Sequence, residues 1–282
     1  MRALGVDVSV RRKLDLVLLD DSLSPTDISR RVEPKELADI ASELEPDVIA
    51  IDAPPAWGKG GGSRRTEREI RWFGIQSYGT PSDPRKAENP FYDWMRVGFA
   101  TFEALAEHYP RYGSGDPRGT SMEVFPHATA VVLSGCLPPD GSTKRDFRAS
   151  VLRAAGVRTD ELRSIDLIDA ALAALTGIFA LRGRFIAPGD PLEGVIVLPT
   201  RTLPANPYRR CVAPPAHEEQ PHLPGLAPCG CDDPGCTSLT RREFAPGHEA
   251  KRKSNLWKRA RHGDEAVQEL RRRAWELPPE MR

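Results

Sequence analysis

The sequence predicts an α/β domain, a mixed sheet flanked by helices, followed by a small cysteine-bearing module. Three stretches carry that prediction. "RALGVDVSV" (2–10) and "KLDLVLLDD" (13–21) are Leu-rich and β-branched runs joined by a short basic turn, the pattern of a hairpin. "DVIAID" (47–52) is a continuous apolar run, as in a strand buried on both faces. "TDELRSIDLIDAALAALTGIFALRG" (159–183) is the strongest helical pattern, with Thr159 or Ser164 available as N-cap and Gly183 as the stop.

The remaining elements follow in chain order. "PKELADIASELEP" (34–46) places Pro34 in a first turn and Leu37, Ile40, Ala41 and Leu44 at helical spacing. Residues 53–120, rich in Gly, Pro, Arg and aromatics, read as a large insertion or lid after the central strand. Within it, 64–74 and 89–109 are helix-like, and Trp72 and Trp94 are assigned to its core. "SMEVFPHATAVVLSG" (121–135) is a short strand and a helix, "KRDFRASVLRAAG" (144–156) an amphipathic helix closed by Gly156, and "GVIVLP" (194–199) a last buried strand. Prolines then accumulate, so the boundaries expected are a domain over 1–200, a Pro-rich linker over 201–228 and a basic Cys/His module over 229–282.

With 39% hydrophobic and 28% charged residues the chain reads as globular, and with 40 basic against 40 acidic residues the whole-chain charge points to no class of partner. No apolar run approaches the roughly 20 residues that cross a bilayer, and the first residues lead straight into a strand. A cytoplasmic protein with no membrane partner is expected. Charge is uneven, however: 241–273 holds 11 basic and 5 acidic residues.

Asp7 interrupts the first strand, Asp52 ends the central one, and Asp166 and Asp169 share one face of the long helix at i and i+3. A charged side chain inside a strand is disfavoured unless it faces a polar site, and acids one turn apart repel unless a cation lies between them. Hard divalent cations take oxygen ligands, and a pair of them about 3.5–4 Å apart can activate water and stabilise a leaving oxygen. Each acid also has an ordinary reading: Asp7 paired with Arg11 or Arg12, Asp52 capping the turn at Pro54, Asp166 and Asp169 favouring a helix N-terminus.

Set in order, "GVDVS", "IAIDAPPAW", "RRTEREIRWFGI", "SMEVFPHAT", "KRDFRASVLRAAG", "DLIDAALAALTG" and "GVIVLP" resemble the family called domain of unknown function 429, described as predicted nucleases of ribonuclease H-like fold. The similarity covers about residues 1–200. It implies a hairpin-led ribonuclease H-like sheet and Mg²⁺ or Mn²⁺ held by Asp7, Asp52, Asp166 and Asp169. It adds Glu123 as a further catalytic acid, and Arg65 and Arg68 near the substrate phosphate, with Glu69 in the same segment. Gly58 to Gly62 would hinge Arg64 and Arg65 over that substrate. Nucleotide-binding relatives of the fold use "DxGxT" loops, which "GVDVSV" lacks, and "GKGGGS" is not a P-loop. Metal-dependent phosphodiester hydrolysis of nucleic acid is therefore expected. The alternatives are a non-catalytic nucleic-acid adaptor and a hydrolase of a small phosphorylated substrate.

Cys229, Cys231, Cys236 and His248 supply four N/S ligands, the donor set of a structural Zn²⁺. His217, His222 and Cys211 are possible substitutes, and Cys136 reads as a buried free thiol. Lys251, Arg252 and Lys253, with Trp257 beyond them, form a stripe suited to phosphates or simply to solvent. His127 is either an acid–base group beside Glu123 or a packed residue.

Overall fold

Strand β1 (Arg2–Val8) opens the chain of this computed structural model, which describes residues 1–9, 13–60, 62–82 and 88–212, with the backbone of 227–228 and 239–240. It pairs antiparallel with β2 (Leu14–Asp20), as the two apolar runs predict. β3 (Pro25–Val32) pairs antiparallel with β2 in turn. The sequence reading did not foresee β3. It is an edge strand, half exposed and shifted in register at two points, so "PTDISRRV" carries no apolar alternation.

After a 3₁₀ turn at Pro34–Glu36 come helix α1 (Leu37–Leu44) and β4 (Val48–Asp52), parallel to β1. Residues 53–119 form the crossover to β5 (Thr120–Glu123) and carry α2 (Arg65–Trp72) and α3 (Asp93–Leu105). The sheet order is β3-β2-β1-β4-β5, with β2 alone running against the rest. Helices α4 (Pro126–Ser134), α5 (Lys144–Ala154) and α6 (Ile165–Leu181) follow. The strand foreseen at 194–199 is shorter: β6 (Gly189–Asp190) and β7 (Gly194–Val195) make a small hairpin. Residues 195–198 are buried in the core layer on the α6 side, with isolated bridges from Val197 to Val124 and from Leu198 to Ile186.

Strand periodicity sorts the core into two layers. Leu4, Val6 and Val8 of β1 and Ile49 and Ile51 of β4 face α1 and α3. Ala3 of β1 and Val48 and Ala50 of β4 face α4, α5 and α6. By the same alternation Asp7 and Asp52 lie on the α6 side.

Helix α6 is anchored by Ser164, whose hydroxyl accepts the Leu167 amide, and it stops at Gly183 in the left-handed region (φ 64°). It lies directly on the sheet. A Cβ on Gly5 would come within 1.9 Å of the Ala170 carbonyl and 2.4 Å of the Ala174 amide nitrogen.

The part of the crossover read as a lid is in part a core layer. Val97, Phe102 and Leu105 of α3 are buried, and Trp94 packs against them. Trp72, expected in the core, is 60% exposed: α2 buries Thr66, Glu67 and Ile70 and turns Trp72 outward.

The described residues to Val212 belong to one unit, Met1–Val212, and the second unit is Ala213–Arg282. In the latter, Ala227–Pro228 pairs antiparallel with Leu239–Thr240. Among the described residues no helix is long and apolar enough to cross a membrane.

Candidate metal centre

Asp7 stands opposite Asp52 in the parallel register of β1 and β4, both at the carboxyl ends of their strands. Asp169 reaches them from α6. One carboxylate oxygen from each of the three lies within 4.8 Å of the other two. Asp7 and Asp169 are buried and Asp52 is half-buried. Asp166, one turn earlier on α6, lies outside this group, although its charge acts on both Asp7 and Asp169.

Crowding like charges away from water is costly. Burial raises the Asp7 carboxyl well above the ordinary range, and Asp52, Asp169, Asp166 and Asp15 add to the effect. Asp52 is pushed up to about 8, by burial first and then by Asp169, against the opposing pull of Arg148 and Lys144. Asp169 also rises through burial, even though Arg148 Nη1 donates to both of its oxygens. Three carboxylates with one bonded cation must hold protons or gain positive charge. An all-oxygen donor set of this spacing fits a hard divalent ion such as Mg²⁺ or Mn²⁺.

Glu123 is not part of this group, and strand phase explains why. It pairs with Ile51, so it stands on the phase opposite to Asp52. There Arg64 binds it with two donors, at 2.7 Å to Oε2 and 2.6 Å to Oε1, while Arg64 Nε bonds Glu67 Oε1 at 2.9 Å. Glu67 also accepts from the amide and hydroxyl of Thr80. Arg64 is therefore a buried clamp holding the crossover to β5, rather than a group swung over a substrate. The signal missed in the sequence is the pair Arg64 and Glu67 at i and i+3, bracketing an otherwise surface-like helix start. Arg64→Gln would leave two buried carboxylates without their cation, and a loss of about 3–5 kcal/mol in urea unfolding is expected.

Arg65 is exposed and bonds Glu69 at 2.6 Å, while Arg68 donates to the Ser63 carbonyl. His127 is pushed down to about 4 by burial, then by Arg148 and Lys144, so it is neutral at pH 7. Its ring meets Phe125 edge-on. Lys144 is exposed, one helical turn from Arg148, and its charge bears on Asp52, Asp169 and His127.

Cys136 is not a free thiol. It is bonded to Cys211, with Cα atoms 5.1 Å apart. Tertiary structure brings the two together: Leu137 exchanges backbone hydrogen bonds with Arg209 and Cys211. Cys211 is thereby removed from the substitute zinc ligands. Cys229, Cys231, Cys236 and His248, with Lys251, Arg252 and Lys253, lie outside the described residues.

A family model described as protein of unknown function (DUF429) matches residues 5–193. The chain belongs to this family. The match takes in Asp7, Asp52, Asp166 and Asp169 and ends before the cysteine cluster. The sheet of this DUF429 protein is mixed, five-stranded and led by a hairpin, as the resemblance implied. No curated protein matches the chain. Solved structures similar to it include two of RuvC. One is T. thermophilus RuvC in complex with Holliday junction substrate, at 15% identity and TM-score 0.36, covering 65% of this DUF429 chain and 96% of that one. The other is the Thermus thermophilus RuvC structure, at 16% identity and TM-score 0.35, covering 65% and 97%. Similarity at that level bears on neither the site nor the substrate.

Proposed function

We propose that this protein is a divalent-metal-dependent phosphodiesterase acting on nucleic acid. The reading is carried by one observation: Asp7, Asp52 and Asp169, from two parallel strands and a helix, present oxygens within 4.8 Å of one another in a largely buried setting. These three would hold Mg²⁺ or Mn²⁺, with Asp166 adding negative charge from the next turn. A bound ion of this kind makes water a nucleophile near neutral pH and offsets charge on a phosphoryl oxygen.

The chain's own groups support an anionic substrate. Exposed Lys144 sets a positive charge beside the acids, so a phosphodiester is drawn to the same side of α5 that carries Arg148. His127, pushed down to about 4 by burial and by those cations, is neutral at pH 7 and can offer a hydrogen bond there, but takes up a proton only reluctantly. A polymeric substrate is proposed from the basic stretch holding Lys251, Arg252 and Lys253, and a structural Zn²⁺ on Cys229, Cys231, Cys236 and His248 stays a proposal for that module.

The test is cleavage of single-stranded, double-stranded and branched DNA and RNA in Mn²⁺ or in EDTA. Cleavage in Mn²⁺ that disappears in EDTA and in Asp7→Asn is expected. Cleavage that survives Asp7→Asn would move the chemistry elsewhere.

A further inference from the structure

Arg148 has an unusual position for a residue beside a cluster of metal-binding type. It is 3% exposed, its Nη1 donates to both oxygens of Asp169, and its Nε has no hydrogen-bond partner. An arginine placed for hydrogen bonding would present its fork, with two nitrogens on two oxygens. Here a single nitrogen takes both oxygens and a buried donor is left over, so what the residue supplies to the cluster is chiefly its charge.

That charge determines how many ions fit. With Asp7, Asp52 and Asp169 ionised the cluster carries three negative charges, and Arg148 neutralises one of them. Asp166 and Lys144 act on the cluster from its edge with opposite sign. Glu123 and Glu67 share Arg64 on the other face of the sheet, and Asp15 accepts the Arg31 amide and lies 3.7 Å from Arg30. Among the residues in contact at the cluster two negative charges remain, which one divalent ion balances. A second ion would leave two uncompensated positive charges in a site shielded from water, which is prohibitive without a bound anion.

The three acids bring at least one oxygen each within 4.8 Å of the others, which is enough for one ion and its waters. A two-ion site needs carboxylate oxygens divided between ions about 3.5–4 Å apart, and Arg148 already takes a lone pair on each Asp169 oxygen, which leaves that carboxylate less to share between two ions than to give to one.

We propose that Arg148 is a positioning residue that limits this centre to one divalent ion in the absence of substrate, by standing where a second ion would bind Asp169. The proposal rests on the metal reading of the cluster. Substrate would bring the negative charge that a second ion needs.

The experiment is a count of Mn²⁺ by calorimetric titration and electron paramagnetic resonance on the full chain. Ions lost in Asp52→Asn are counted as belonging to the site. The wild type is expected to take one such ion with the spectrum of an isolated Mn²⁺. Arg148→Gln should take two, with spin–spin broadening, and Arg148→Lys should remain at one. Two site ions in the wild type would overturn the proposal, and that measurement stands even if Arg148→Gln fails to fold. A single ion in folded Arg148→Gln would overturn it as well. If no Mn²⁺ is lost in Asp52→Asn, the metal reading itself fails, a result distinct from a wrong count.

Discussion

Asp52→Asn is expected to abolish metal-dependent cleavage and at the same time to raise the melting temperature of the metal-free protein at pH 8. The opposite signs have one cause. Asp52 is held at about 8, far above its unfolded value near 3.8, and Asp7 and Asp169 are raised beside it. A carboxyl with a raised folded-state pKa binds protons more tightly when folded. Its contribution to stability is fully present below the unfolded value and is lost as pH rises through the folded one.

The metal-free wild type should therefore lose stability as pH rises from about 4 to about 8 and level off above that, by about 1.4 kcal/mol per pH unit for a proton held only in the folded state. Asparagine keeps the shape and removes the charge, so its melting curve should depend much less on pH in that window. Added Mn²⁺ should stabilise the wild type increasingly as pH rises and leave Asp52→Asn nearly unchanged. Calorimetric melting across pH 5–9, with EDTA or Mn²⁺, checks every part of this. A wild type that becomes steadily more stable toward pH 9 without metal would mean that the acids are not stressed.

Gly5→Ala is expected to be the most damaging added methyl group among the described glycines. Its Cβ would sit 1.9 Å from the Ala170 carbonyl and 2.4 Å from the Ala174 amide nitrogen, both backbone atoms of a helix that cannot yield locally. Helix α6 would have to lift from β1, at a cost of about 3 kcal/mol or more, and would carry Asp169 away from Asp7 and Asp52. Loss of Mn²⁺-induced stabilisation should therefore accompany the drop in melting temperature. Gly177→Ala is the control. Its Cβ would meet the Ala3 Cβ at 2.9 Å and a Val48 methyl at 3.0 Å, a much smaller overlap than the one at Gly5 although the Ala3 Cβ moves only with its strand. A smaller loss is expected, with metal binding retained. Equal losses for the two would show that α6 does not depend on the close approach at Gly5.

Local pattern made most of the elements legible. The β1–β2 hairpin, β4, α1, α5 and α6 follow from runs whose period and caps are written in consecutive residues, down to Ser164 and Gly183 at the ends of α6. β3 was missed because an edge strand need not alternate. Trp72 was misplaced because the apolar face of a short helix is defined by what covers it, and α2 is covered on the side of Thr66 and Ile70.

The candidate site was legible in residue type and only partly in arrangement. The sequence alone determined that Asp7 interrupts one apolar strand, that Asp52 ends another and that Asp166 and Asp169 share a helix face, because these are properties of neighbours a few residues apart. Only the tertiary structure decided which acids meet. Parallel register sets Asp7 against Asp52 and puts Glu123 on the other face of the sheet, and the missing side chain at Gly5 lets α6 bring Asp169 within reach. It also supplied partners from distant parts of the chain: Arg148 for Asp169, Arg64 for Glu123 and Cys211 for Cys136. Caps and periodicity act over a few residues and can be read in order. Charge pairing and close packing act through space, and strand phase and helix docking, which set those distances, exist only once the chain has folded.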